Sequence, residues 1–92
     1  MERRRVVVTG LGAINAIGHN VEETWKSIKE GVCGIDEITN YDKELTKVKI
    51  AGEVKNFNAE LYVDKKDLKR NDMFSIIAIA AAQQAFDMAG LV

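Results

Sequence analysis

The stretch VVVTGLGAINAIGHN, Val6 to Asn20, runs three valines into a loop that holds three glycines, Gly10, Gly12 and Gly18. The glycines invite a phosphate-binding reading, and their neighbours argue against it. A dinucleotide fingerprint, G-x-G-x-x-G, has a third glycine where helix and strand pack closely. That position is Asn15 here, and asparagine is too large for it. The next helix should begin inside such a motif, yet the capping signal falls at Asn20. Glu30 and Asp36 lie at a suitable distance for the ribose-binding acid, but neither ends a core strand. A Walker loop, G-x-x-x-x-G-K-[ST], fails twice. Gly12 and Gly18 are one residue too far apart, and His19 stands where the charge-neutralising lysine is required. The stretch therefore reads as a strand-to-helix turn.

On either side of that turn the pattern gives regular elements. Arg4 to Thr9 reads as a strand. The unbroken valines suit a strand covered on both faces, as in a parallel sheet. Asn20 to Glu30 reads as a helix capped by Asn20, with Glu23 placed to reach back in a capping box. Val21, Trp25 and Ile28 share one of its faces, and Gly31 is placed for a left-handed stop. Lys47 to Val54 reads as an edge-like strand, with Val48, Ile50 and Gly52 facing away from Lys47 and Lys49. Asp64 to Arg70 reads as a short charged helix capped by Asp64.

The next segment, NDMFSIIAIAAAQQAFDMAG, runs from Asn71 to Gly90. It opens on a capping residue, Asn71 or Asp72, and stops at Gly90. From Met73 to Ala82 it is apolar on all sides except at Ser75, so this helix is expected to be buried all round. Its alanines, Ala78, Ala81, Ala82 and Ala85, let other backbones approach closely.

Composition narrows the function classes. The 92 residues carry a net charge of -1 and are 47% hydrophobic. One domain at most is expected, with a thin core. The balanced charge gives no global sign of a nucleic-acid partner. The lone Cys33 can form no internal disulfide and no multi-cysteine zinc site, which fits a reducing compartment. No signal peptide is legible behind Arg3, Arg4 and Arg5, and no apolar run reaches the ~18 residues of a membrane span. A soluble, cytoplasmic protein is expected. A strand covered on both faces and a helix buried all round need more partners than the other elements supply. These surfaces are expected to be buried against further structure, in a larger protein or another chain.

The order RRVVVTGLG, a short loop to Gly18, VEETWKSIKEGVCGI, then YD, VKIAGEVKNFN, a basic stretch and an alanine-rich helix closely resembles the N-terminus of the β-ketoacyl-[acyl-carrier-protein] synthase II family of condensing enzymes. The resemblance runs over residues 1–92. It implies an α/β fold, the N-terminal part of a thiolase-like structure layered α-β-α-β-α, and a segment that is incomplete as a folding unit. It also implies a homodimer and no cofactor. The implied reaction is a decarboxylating Claisen condensation of an acyl thioester with malonyl-acyl-carrier protein, driven by a cysteine and two histidines that lie beyond these 92 residues. The segment alone is expected to be inactive. Cys33 follows a helix end where relatives carry a small residue such as serine, and it reads as a small loop residue. His19 reads as a solvent-exposed turn histidine. Ala16 stands where relatives commonly have proline.

Lys65, Lys66, Lys69 and Arg70 fall at i, i+1, i+4 and i+5, so a helix displays them on one face. By themselves they describe a solvated charged face, with Asp64 and Asp67 as local partners. The resemblance implies a second role, docking of the small acidic acyl carrier protein, with Lys66, Lys69 and Arg70 at the family's docking positions. Other readings stay open: a stand-alone module that docks an acidic partner through Lys65–Arg70, a partial nucleotide-binding domain, and a non-catalytic relative such as a chain-length factor.

Overall fold

A computed structural model describes residues 3–40, 42–45 and 47–91. Their order is α1 (Val21–Glu30), β1 (Ile35–Glu37), a 3-10 turn (Lys43–Leu45), β2 (Ile50–Gly52), a second 3-10 turn (Ala59–Leu61), α2 (Lys65–Arg70) and α3 (Met73–Ala89). β1 and β2 pair antiparallel, with Asp36 opposite Ala51.

α1 is closed at both ends by local chemistry. The Asn20 side chain accepts from the Glu23 amide at 2.8 Å. Glu23 reaches back one residue further than a capping box requires and accepts from the His19 amide at 2.9 Å. Gly31 ends the helix at φ 72°, in the left-handed region, where the missing Cβ avoids a steric cost. Gly90 ends α3 in the same way at φ 71°. Asp64 and Asp72 occupy the N-cap positions of α2 and α3, but neither side chain makes a capping hydrogen bond.

The covered face of α1 differs from the expected one. Val21, Thr24 and Ser27 are half-buried, whereas Trp25 and Ile28 are 58% and 55% exposed. Two hydroxyls decide this. Thr24 Oγ1 accepts from Asn15 Nδ2 at 3.1 Å, and Ser27 Oγ donates to the Ile17 carbonyl at 2.7 Å. The helix is thereby pinned to the preceding loop by its polar side. Trp25 instead lies under the Lys29 ammonium, 5.9 Å from the ring centre.

The expected strand at Arg4–Thr9 does not form among the described residues; the sheet there is β1 and β2 alone. Val6, Val7 and Val8 are 89%, 70% and 76% exposed. A strand exists only through ladder bonds to a neighbour, and the described residues offer this segment none. The strand expected at Lys47–Val54 contracts to Ile50–Gly52, and β1, which carried no sequence signal, is its partner.

Gly10 and Gly12 face α3 instead. A Cβ on Gly10 would overlap the Ala85 carbonyl oxygen and lie 3.0 Å from the Ala89 amide nitrogen. A Cβ on Gly12 would overlap the Ala81 carbonyl oxygen and lie 3.1 Å from the Ala85 nitrogen. Backbone therefore packs on backbone, and Ala81, Ala85 and Ala89 recur every fourth residue to permit it. This contact covers the Ala81, Ala85 and Ala89 stripe of α3, and Ile76 and Ala80, further round the helix, are buried as well. Met73, Phe74, Ile79, Phe86 and Met88 remain exposed. The burial expected all round α3 is thus absent among the described residues, which leave the side of Ile79, Ala82, Gln83 and Phe86 uncovered.

The dimensions agree. The accessible surface is 7904 Å², against about 5,300 Å² for a compact monomer of this mass. The radius of gyration is 16.6 Å, against about 12 Å for a compact domain of this length.

Two predictions follow from these contacts. Gly12→Ala should destabilise by about 1–3 kcal/mol through overpacking, and Gly31→Ala by about 1 kcal/mol through backbone strain alone. Thermal unfolding of the two variants checks the order; a smaller loss for Gly12→Ala than for Gly31→Ala contradicts the backbone contact. The second concerns Glu53, which accepts from the Thr39 and Asn40 amides at 3.0 Å each and from Thr39 Oγ1 at 2.8 Å. The Asn40 amide, then the Thr39 amide and hydroxyl, hold its carboxyl below the ordinary 4.5. A lowered folded-state pKa adds stability above the ordinary value, and that stability is lost as pH falls through the lowered pKa. The Thr39 and Asn40 amide resonances should therefore titrate with a midpoint below 4.5. A midpoint at or above it contradicts the contact.

Candidate functional site

In the loop from Gly10 to Asn20, every second backbone donor from Leu11 to His19 is spent on the protein itself. The Leu11 amide donates to Met88 Sδ at 3.3 Å, and the Ala13 amide to Gln84 Oε1 at 3.1 Å. The Asn15 amide donates to the Gly18 carbonyl at 2.9 Å, and the Ile17 amide to Asn15 Oδ1 at 3.0 Å. The His19 amide is held by Glu23. A phosphate cradle needs free N–H groups converging on one point. Five amides here are committed, and backbone of α3 and α1 fills the space where a Cβ of Gly10, Gly12 or Gly18 would stand, so the glycines serve packing. Asn15, the residue that breaks the dinucleotide motif, shapes the turn through its own side chain.

Gln84 joins three segments. Its Oε1 holds Ala13, while its Nε2 donates to the His19 carbonyl at 2.6 Å and to the Tyr62 hydroxyl at 3.1 Å. His19 extends the cluster. Its Nε2 meets the Lys55 carbonyl at 2.5 Å, and since a carbonyl only accepts, the ring proton sits on Nε2. The imidazole edge meets Phe57 at 5.6 Å, and Phe57 stacks on Tyr62 at 6.0 Å. His19 is thus half-buried, a correction to its reading as a solvent-exposed turn residue. The reason is a contact 36 residues away in sequence. The Lys55 ammonium pairs with Asp36 at 3.4 Å. The Glu37 amide first, then Lys55, hold the Asp36 carboxyl below its ordinary range.

Cys33 is exposed, and its Sγ lies 3.8 Å from the Ile35 carbonyl. It shares no contact with His19, so the structure does not assemble the two into a catalytic pair. Among the described residues no group of three His, Cys, Asp or Glu side chains is placed to hold a metal ion.

The basic residues lie where their spacing predicts. Lys65, Lys66, Lys69 and Arg70 all sit on α2 and are all exposed. Leu68 is half-buried beneath them. Among the described residues no ion pair ties any of the four to a carboxylate, so Asp64 and Asp67 are neighbours rather than partners. Among the described residues these four cations form an exposed basic face on one short helix with no ion-pair partner.

Gln84 and Tyr62 carried no signal that was read from the sequence. One was available: Gln84 is a polar residue on the covered face of an apolar helix, where a buried amide requires partners.

Comparison with known proteins places this geometry. Residues 3–92 match the family described as beta-ketoacyl synthase, N-terminal domain. The 3-oxoacyl-[acyl-carrier-protein] synthase 2 of Staphylococcus aureus (strain COL) is 49% identical over 84 residues, covering 91% of this chain and 20% of that protein. The protein of the same name from Synechocystis sp. is 45% identical over 92 residues, covering all of this chain and 22% of that protein. Among solved structures, the ishigamide ketosynthase/chain length factor superposes with a TM-score of 0.87 at 37% identity, over 99% of this chain and 23% of that one. The chain thus spans about a fifth of the length of the curated relatives it matches. Its α/β architecture is that of the first part of a thiolase-like ketosynthase. Family match, sequence identity and superposition agree, and the chain belongs to the β-ketoacyl synthase family, in the part described as its N-terminal domain.

Proposed function

We propose that this segment serves a 3-oxoacyl-[acyl-carrier-protein] synthase and that its own contribution is to receive the carrier protein on α2. The supporting observation is the exposed basic face of Lys65, Lys66, Lys69 and Arg70, which have no ion-pair partner among the described residues. The acyl carrier protein appears in the names of its relatives, 3-oxoacyl-[acyl-carrier-protein] synthase 2. In the complete enzyme the acyl group passes from the carrier's thiol to a cysteine. Malonyl-carrier protein then loses CO2, and the resulting carbanion attacks the thioester and expels the cysteine thiolate. That chemistry needs a thiol of lowered pKa and backbone donors for the oxyanion. Cys33 shares no contact with His19, the one histidine of the sequence, and five amides of the glycine loop are bonded within the protein, so on this reading the catalytic residues belong to other parts of the enzyme. The same reading includes a homodimer and a cytoplasmic setting. No helix among the described residues is long and apolar enough to cross a membrane.

Docking by charge acts mainly on encounter and orientation. Lys66→Glu combined with Lys69→Glu, in a complete synthase carrying this domain, should weaken binding of holo carrier protein about tenfold at low salt. The loss should shrink as added salt shortens the Debye length. Titration calorimetry at two salt concentrations measures both effects, and an unchanged Kd at low salt rejects the docking role.

A further inference from the structure

A docking face is useful only if it is held at a fixed angle, and α2 has little to hold it. Six residues are too few for a helix that is stable alone. α2 packs on the Ala59–Leu61 turn, and that turn packs on α3. At its C-terminal end α2 meets α3 through Asn71 and Asp72. Asn71 is extended, at φ -116° and ψ 144°, so the two helices do not continue into one another. Its amide and its Nδ2 both donate to the Asp67 carbonyl, at 3.1 and 2.9 Å. This end is a joint.

The other end is anchored by the buried Val63 and tied across to α3 by the Tyr62 side chain. Tyr62 closes the 3-10 turn with its amide, which donates to the Ala59 carbonyl at 3.1 Å. Its ring stacks on Phe57 and its hydroxyl accepts from Gln84 Nε2. Gln84 is itself fixed to the glycine loop through Ala13 and His19. The Tyr62 hydroxyl therefore couples the segment leading into α2 to the best-anchored part of α3.

Resting on the docking role above, we propose that Tyr62 is a positioning residue. Held by Gln84, it fixes the angle at which Lys65, Lys66, Lys69 and Arg70 meet the carrier protein. Without the tie, α2 pivots about Asn71 and the docking-competent orientation becomes a fraction of the population. Apparent affinity falls by that fraction. The number of charges that meet the partner stays the same.

Tyr62→Phe isolates the effect. The ring keeps its stack on Phe57, and Gln84 keeps Ala13 and His19. In a complete synthase carrying this domain, the variant should raise the Kd for holo carrier protein by about two- to tenfold, the worth of one net hydrogen bond. The slope of log Kd against log salt should match that of the unmodified protein. KM should rise for the acyl group borne on carrier protein and stay unchanged for the same acyl group on pantetheine. The Lys66→Glu, Lys69→Glu protein is measured alongside. If that pair weakens binding and Tyr62→Phe does not, the positioning role is overturned and docking stands. Equal rises in both KM values also overturn it, by showing a general structural defect. If the lysine reversals have no effect, docking falls and the positioning role with it.

Discussion

Backbone-to-backbone contact between Gly10, Gly12 and the carbonyl side of α3 is the constraint from which the other contacts follow. Glycine at both positions lets the loop lie against Ala81, Ala85 and Ala89 with no side chain between them. At that distance the Leu11 and Ala13 amides reach Met88 and Gln84. Gln84 then fixes His19 and Tyr62, and the Asn15–Gly18 turn receives Thr24 and Ser27 of α1. A sequence feature that resembles a ligand loop is thus spent on assembling three segments around one helix.

The exposed valines at Val6–Val8 and the uncovered faces of α3 have a common meaning. A layered α-β-α-β-α fold buries its strands between helices and its central helices between sheets. Such surfaces are costly to leave in water, at roughly 25 cal/mol for each Å² of apolar area. The superposition on a ketosynthase over nearly the whole chain places both segments in that kind of architecture. By contrast, α2 is charged on its outer face and needs no covering layer.

What could be read from the sequence was what depends on near neighbours. Asn20, Gly31 and Gly90 mark helix ends because capping is settled within a few residues. The i, i+1, i+4, i+5 spacing of the four basic residues placed them on one face of α2 for the same reason. Arg4–Thr9 was misread as a strand in this chain because apolar residues show a preference for a sheet, not the presence of a partner strand. The inner face of α1 was misread because periodicity favoured Trp25 and Ile28. The deciding bonds run from Thr24 and Ser27 to a loop whose shape was unknown. The His19, Phe57, Tyr62 and Gln84 cluster was illegible because its members lie up to 65 residues apart.

Hydrogen–deuterium exchange on a complete synthase carrying this domain, with holo carrier protein in one experiment and ATP or NAD in another, tests the account most directly. The account predicts that carrier protein protects the amides of residues 62–72, and that neither nucleotide changes those of residues 6–20. Protection of residues 10–18 by a nucleotide, with residues 62–72 untouched by carrier protein, would contradict it.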